Sequence, residues 1–386
     1  MKNTITITLG AMALAAHLGA AAQQPPVKVG LMLPSTGTYA GLGDMIEKGF
    51  KLAIEEQGGK LGGREVQYFS VDDESDPSKA TDNVNKLIKR DNVDVLVGTV
   101  HSGVAVGMAK AAKESGTLFI IPNAGADAIT GPLCAKNIFR SSFSNWQPGY
   151  ATGVMAAKKG YKTAMTITWN YGAGADAIKG FHEAFEKGGG KVLKDLNLPF
   201  PNVEFQALLT QIAAEKPDVV YAFFAGGGAV KFVKDYAAAG LKNSVPLMGS
   251  GFLTDGTLQA QGAAAQGIIT ALHYGDEIKN PRNEAFRNKF AVNYKTNPDV
   301  YAMQGYDAAQ MLIAGANAVK GDMSKKDALI KAIENARIDS PRGAFTLSKA
   351  HNPVQDLYAR EVRGEYNVVT GIAVKALADP ARGCKM

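Results

Sequence analysis

Short apolar runs alternate with stretches of helical period along almost the whole chain, and no other feature restricts its fold as severely. Val27-Lys28-Val29-Gly30-Leu31-Met32-Leu33 reads as a strand, and Pro34 to Gly43 as a turn-forming loop. A helix begins at Asp44, with Met45, Phe50, Leu52 and Ile54 at helical spacing, and Gly58-Gly59 closes it. Val66 to Val71 is a strand, after which Asp76 caps a helix with Pro77 at its first position. Two strand-loop-helix passages follow, in which Val93 to Gly98 and Leu118 to Pro122 are the strands. Beyond Arg140 the pattern restarts. Helices at 148–159, 175–188, 203–215 and 229–239 alternate with strands at 163–169, 192–196, 219–224 and 246–250. Asn283 to Ala336 is mainly helical, and Phe345 to Leu347, Leu357 to Arg363 and Tyr366 to Thr370 are late strands.

Strands separated by helices lie parallel in right-handed βαβ units, so the expected class is α/β. About ten such strands overfill one sheet, which makes two doubly wound lobes the natural solution. No Ser/Gly linker divides the halves, so the chain crosses between lobes on short ordered segments that act as hinges.

The first 22 residues have the form of a secretory signal: Lys2, an apolar core from Ile5 to Leu18, and Ala20-Ala21-Ala22 as a cleavage site. The expectation is an exported, periplasmic protein cleaved near Ala22, with no later segment apolar enough to span a bilayer. Its positive charges are dispersed and no basic run interleaves with aromatics, which argues against nucleic acid as a partner. In an exported chain the two cysteines, Cys134 and Cys384, are a candidate disulfide. A loop that long is worth roughly 5 kcal/mol in the chain-entropy account. Two unrelated free thiols is the alternative.

Function is sought first at the carboxyl ends of the two buried strands. Thr99-Val100-His101-Ser102-Gly103 and Asn123-Ala124-Gly125-Ala126 each follow a strand. Free N–H groups and the positive end of a following helix meet there, which suits a carboxylate or another small anion. Ordinary βα turns is the plainer reading. Enzyme signatures are missing: no G-x-S-x-G, H-E-x-x-H, phosphate-loop or dinucleotide fingerprint occurs in context. The histidines do not cluster at metal-ligand spacing, and Asp72 to Asp76 lacks a calcium-loop pattern. No cofactor and no metal are expected.

Several segments, in order, resemble the solute-binding proteins of the leucine/isoleucine/valine group of ABC importers. These are the first strand with Gly37-Thr38-Tyr39-Ala40-Gly41-Leu42-Gly43, then Asp72-Asp73-Glu74-Ser75-Asp76-Pro77 and Gly98 to Gly103. Ile138-Phe139-Arg140, Trp169-Asn170-Tyr171-Gly172, Pro217-Asp218-Val219-Val220 and Ala239-Gly240-Leu241-Lys242 continue the set. The resemblance implies two lobes joined by three crossings, with residues 27–142 plus 274–345 in one and 143–273 plus 346–380 in the other. A ligand is trapped between them by hinge closure and delivered to a membrane permease, the binding protein being a monomer.

In that family a Ser after one strand and a small-residue loop after the next hold the ligand carboxylate, which here maps to Ser102 and to Asn123, Ala124 and Gly125. Amino-acid binders carry a hydroxyl where this chain has Gly125 and an acid near Gly249 to Phe252 that grips the ammonium. They also carry aromatic and acidic residues where this chain reads Gly226-Gly227-Gly228. An unpaired buried ammonium costs several kcal/mol, so the departures imply an acid without the amine. Glycines such as Gly227 leave room for a flat group, and Tyr39, Trp146 and Tyr171 are placed to stack on a ring. Tyr301 to Asp307 and Gly383-Cys384-Lys385-Met386 resemble the aromatic-acid branch of the family.

The expected ligand is therefore an aromatic or aryl-alkanoic acid, with branched-chain amino acid binding and a free-standing ligand sensor as alternatives. Each residue keeps a second reading. Ser102 serves equally as a helix cap, His101 as a structural bond, and Trp146 as packing near a crossing. Leu42 belongs to a rim, and Gln304 is a helix-interior polar group that bonds its neighbours.

Overall fold

The computed structural model describes residues 24–386; the expected signal segment and its cleavage point lie outside the described residues. The first lobe begins with β1 (Val27–Leu33), α1 (Ala40–Glu56), β2 (Lys60–Leu61), β3 (Arg64–Asp72) and α2 (Ala80–Asn85). It continues with β4 (Val95–Gly98), α3 (Ser102–Ser115), β5 (Leu118–Ile121), α4 (Asp127–Thr130) and β6 (Ile138–Arg140). The second lobe opens with α5 (Trp146–Lys158), β7 (Thr163–Trp169), α6 (Gly172–Lys187), β8 (Lys191–Leu198) and α7 (Gln206–Glu215). Next come β9 (Val219–Phe223), α8 (Gly226–Ala238), β10 (Leu247–Ser250), α9 (Leu258–Gln261) and β11 (Ile269–Leu272). Helices α10 (Pro281–Tyr294), α11 (Val300–Ala318) and α12 (Lys326–Glu334) then precede β12 (Thr346–Leu347), β13 (Pro353–Arg363) and β14 (Tyr366–Leu377).

Two sheets result. One runs β2-β3-β1-β4-β5-β6, parallel apart from β2. The other runs β12-β13-β11-β10-β9-β7-β8, parallel from β11 to β8, with β14 antiparallel on β13. The chain leaves the first sheet after β6 and returns after β11 to lay α11 on α1. It leaves again ahead of β12, making three crossings. All four residues of β4 and of β5 are buried, as central parallel strands covered on both faces must be.

Local signals were accurate where chemistry is local. Asp76 accepts from the Ser78 N–H with Pro77 beside it, although the turn is 3₁₀ rather than α. Three strands, β2, β6 and β11, were not read as strands from the sequence; β2 and β6 have two and three residues, whereas β11, at four, is no shorter than β4, β5 and β10. Helix α1 starts at Ala40 rather than Asp44, because the Tyr39 carbonyl accepts from Leu42 and Gly43. The segment Gly226-Gly227-Gly228 is likewise the first turn of α8 rather than an open loop.

Each lobe has one helix pair brought into backbone contact by glycine. A Cβ on Gly305 would lie 2.0 Å from the Ile46 carbonyl oxygen, and one on Gly49 would lie 1.9 Å from that of Ala302. In the second lobe a Cβ on Gly149 would meet the Ala177 oxygen at 2.2 Å. Cys134 and Cys384 are bonded, with Cα atoms 5.6 Å apart. The bond pulls the tail beyond β14 back onto the first lobe, where Asp379 meets Thr130 at 3.4 Å. We expect Gly305→Val to separate α1 from α11 and to cost about 1–3 kcal/mol or more, as overpacking does. Urea denaturation reads this directly, and an unchanged midpoint would refute the contact.

Candidate functional site

The carboxyl ends of the parallel strands in both sheets face one another across a small cavity of about 30 Å³. The first lobe supplies Tyr39, Val100, Ser102, Asn123, Gly125 and Tyr301. The first crossing gives Phe143 and Asn145, and the second lobe Tyr171, Ala173, Phe223, Ala225 and Phe252. Six of these thirteen residues are aromatic and none carries a charge. The lobes touch directly beside the cavity, where the Tyr39 and Tyr171 hydroxyls lie 3.2 Å apart. Thr38 and Tyr39 also pack against Gly226, at which a Cβ would sit 2.9 Å from the Thr38 oxygen. The two lobes are thus in direct contact on this side of the cavity.

The carboxylate-seeking loops have a definite geometry. The Ser102 hydroxyl accepts from Asn145 Nδ2 at 3.2 Å, which leaves its own proton free to donate. Asn123 donates to Gln304 Oε1 at 2.7 Å, and Gln304 Nε2 lies 3.2 Å from His273. Gln304 thus orients Asn123 from behind and does not line the cavity. The Ala124 N–H, expected to face a ligand, is committed to the Thr99 carbonyl at 2.9 Å. Gly125 presents its backbone with no room for a side chain, since a Cβ would lie 2.4 Å from Asn145 Oδ1 and 2.6 Å from Phe143. Behind this loop the buried Arg140 guanidinium donates to the Gly125 and Ala126 carbonyls at 3.0 and 2.8 Å. Asp127 and Asp176 lie close by, both pushed upward by burial, Asp127 further by the neighbouring Asp176 charge.

His101, not Ser102, caps α3: its Nδ1 accepts from the Gly103 N–H at 3.0 Å. The imidazole is walled by Phe200 and Tyr171, with centroids 4.8 and 5.2 Å away, and stands outside the cavity lining. Burial lowers its pKa to about 4, so it is neutral near neutral pH.

Trp146, expected to stack in the cleft, points the other way. Its Nε1 donates to Glu183 at 2.8 Å, its ring stacks on Tyr150 at 4.5 Å, and Arg382 of the tail lies 5.9 Å from it. A helix-start residue has its direction set by what its helix packs on, and α5 packs on α6. Leu42 and Gly227 line a separate, open groove of about 690 Å³ together with Met45 and Val230. The room left by Gly226 and Gly228 is filled by protein. A Cβ on Gly228 would lie 2.3 Å from the Trp169 ring. Phe143, Asn145 and Phe223 were not singled out as cleft residues, because each lies in a crossing or at a strand end with no local signal. Phe252 and Tyr301 lay inside the compared segments Gly249 to Phe252 and Tyr301 to Asp307 without being named as ligand contacts.

Two parallel-sheet lobes, three crossings and a small cavity between the lobes are the frame in which the comparisons with known proteins fall. The chain belongs to the periplasmic binding protein family, which it matches over residues 26–367. It is 27% identical to a Leu/Ile/Val-binding protein homologue of Brucella melitensis over 92% of both chains. Among solved structures, an ABC transporter solute-binding protein from R. palustris in complex with benzoate is 53% identical. It superposes with a TM-score of 0.92, covering 94% of this chain and 100% of that one. Another, from Rhodopseudomonas palustris BisB5 in complex with 3,4-dihydroxybenzoic acid, is 30% identical with a TM-score of 0.86, covering 92% and 99%. Proteins of this kind serve ABC importers from the periplasm.

The depressed His101 pKa gives a testable pH dependence. Between pH 6.5 and about 4 the unfolded chain protonates this histidine and the folded one does not, so stability falls as pH falls through that window. His101→Asn keeps a capping acceptor but does not titrate. Its melting temperature should gain on the wild type from pH 7 to pH 4, and parallel curves would show that His101 is not buried neutral.

Proposed function

We propose that this protein captures a small organic acid, an aromatic or aryl-alkanoic carboxylate, and hands it to the permease of an ABC importer. The lobes are residues 27–142 plus 274–345 and residues 143–273 plus 346–380, the signal is removed near Ala22, and the mature protein acts as a monomer. The observation that carries the ligand class is the lining: six aromatic rings and no ionised side chain. Aromatic walls suit a ring, for which the lobes must part beyond the about 30 Å³ left between them here. An α-ammonium would be buried without a counter-charge, which disfavours amino acids.

The carboxylate is held where hydrogen-bond donors collect, by the Ser102 hydroxyl, Asn123 and the Gly125 backbone at the end of β5, with the N-terminus of α3 adding its dipole. Arg140 behind the loop supplies a fixed positive charge without touching the ligand. Tyr39 and Tyr171 close over the ring, while His101, Gln304, Leu42 and Gly227 act as supports or rim. Benzoate in one relative and 3,4-dihydroxybenzoic acid in another support this reading. Because the ligand contacts both lobes it shifts the open–closed equilibrium by its differential affinity, which lets the permease distinguish loaded from empty protein.

Thermal-shift screening against benzoate, hydroxybenzoates, aliphatic acids and leucine tests the reading. Stabilisation by leucine and not by aromatic acids would overturn it. We expect Ser102→Ala to weaken benzoate binding by about 1–2 kcal/mol, the scale of one hydrogen bond to a charged group. Unchanged affinity by calorimetry would remove Ser102 from the site.

A further inference from the structure

The polar side chains on the cavity wall are not equally engaged. Ser102 is partnered by Asn145, Asn123 by Gln304, and Tyr39 by Tyr171. Tyr301 is different. Its hydroxyl is buried, the residue being 1% exposed, and it has no hydrogen-bond partner among the described residues. No other lining residue has a buried side-chain polar atom in that condition. Buried hydroxyls are nearly always paired, because an unpaired one forfeits its interaction with water and gains nothing in return.

The position of this phenol is fixed. Tyr301 lies in the first turn of α11, directly after the cap in which Asp299 accepts from the Ala302 N–H at 3.0 Å. Its ring lies 5.9 Å from that of Phe252, which belongs to the opposite lobe. Even a Cβ on Gly256 would come within 3.4 Å of Cε2. Burial, and then the carboxyls of Asp255 and Asp299, push its pKa upward, opposed by Arg360, so the phenol keeps its proton and remains a donor.

We propose that Tyr301 reads a ring substituent: its hydroxyl pairs with an oxygen on the ligand's ring, so the protein prefers hydroxylated aromatic acids to the bare ring. This rests on the aromatic-acid reading above and adds the selecting residue. An apolar pocket discriminates weakly over an added hydroxyl. A buried group built to bond one rejects the analogue that leaves it unpaired.

Isothermal titration of the mature protein with benzoate, 3-hydroxybenzoate and 4-hydroxybenzoate is the test, in the wild type and in Tyr301→Phe, which keeps the ring. One hydroxybenzoate should bind the wild type about tenfold or more tighter than benzoate. Tyr301→Phe should lose about tenfold for that ligand while benzoate stays within about twofold. Benzoate bound as tightly as both hydroxybenzoates by the wild type would overturn the assignment while leaving the aromatic-acid reading intact. So would equal losses for all three ligands in the variant. No binding of any of the three by the wild type would overturn both. If the variant folds poorly, equal wild-type affinities for benzoate and both hydroxybenzoates would still overturn the assignment.

Discussion

Everything in this molecule depends on how the buried crossings satisfy their own backbone. Segments that run between two sheets have no ladder to join, yet a buried carbonyl without a partner is costly. Arg342, from the third crossing, solves this for the first. Its guanidinium donates to the Ser142 carbonyl at 3.1 Å and to that of Ser141, while Nε lies 3.3 Å from Asp307 in α11. Gln355 adds a second donor to the Ser142 carbonyl at 2.6 Å, and Gln147 reaches the Pro353 carbonyl at 3.0 Å. One cation therefore ties two crossings to the helix that carries Tyr301 and Gln304. Desolvation makes the pair expensive, since burial raises the Asp307 pKa to about 6 and lowers that of Arg342 to about 10. A buried pair of this kind adds little net stability, but removing either partner leaves an uncompensated buried charge.

The cavity follows from that anchoring. Phe143 and Asn145 sit three and five residues beyond Arg140, and the crossing that holds them is pinned at Ser141 and Ser142. Their rigid placement is also why Gly125 must be a glycine. The polar chain from Asn123 through Gln304 to His273 joins the loop after β5 to the second crossing, so loop and hinge are oriented by the same buried network. The cavity wall itself carries no charged side chain, and the buried Arg140 guanidinium lies behind the loop after β5.

What was legible in the sequence was what is decided locally. The strand from Val27 to Leu33 is bounded as its composition implies, and Asp76-Pro77 caps a turn through chemistry confined to a few neighbours. The two-lobe architecture followed from the number of strands alone. Side-chain direction was not legible. Trp146 and Tyr171 are both aromatic residues near a second-lobe helix start, yet one faces the tail and the other the cavity, according to what packs on each. The glycines misled for a related reason. Gly226 and Gly228 do mark missing volume, but Tyr39 and Trp169, distant in sequence, occupy it. Phe252 and Tyr301 lay inside segments compared with the family, but nothing local marks which residue of each segment faces the cleft.

The disulfide between Cys134 and Cys384 carries a consequence for biogenesis. The two residues are 250 positions apart, one before β6 and the other beyond β14, so the bond spans every element of the second lobe. It can be made only after all of that chain has crossed the membrane into an oxidising compartment. The tail of the second lobe then becomes a fourth, covalent connection to the first, beside the three backbone crossings. Oxidation is thus a late maturation step, one that converts a lobe pair hinged on three strands of backbone into a closed covalent ring.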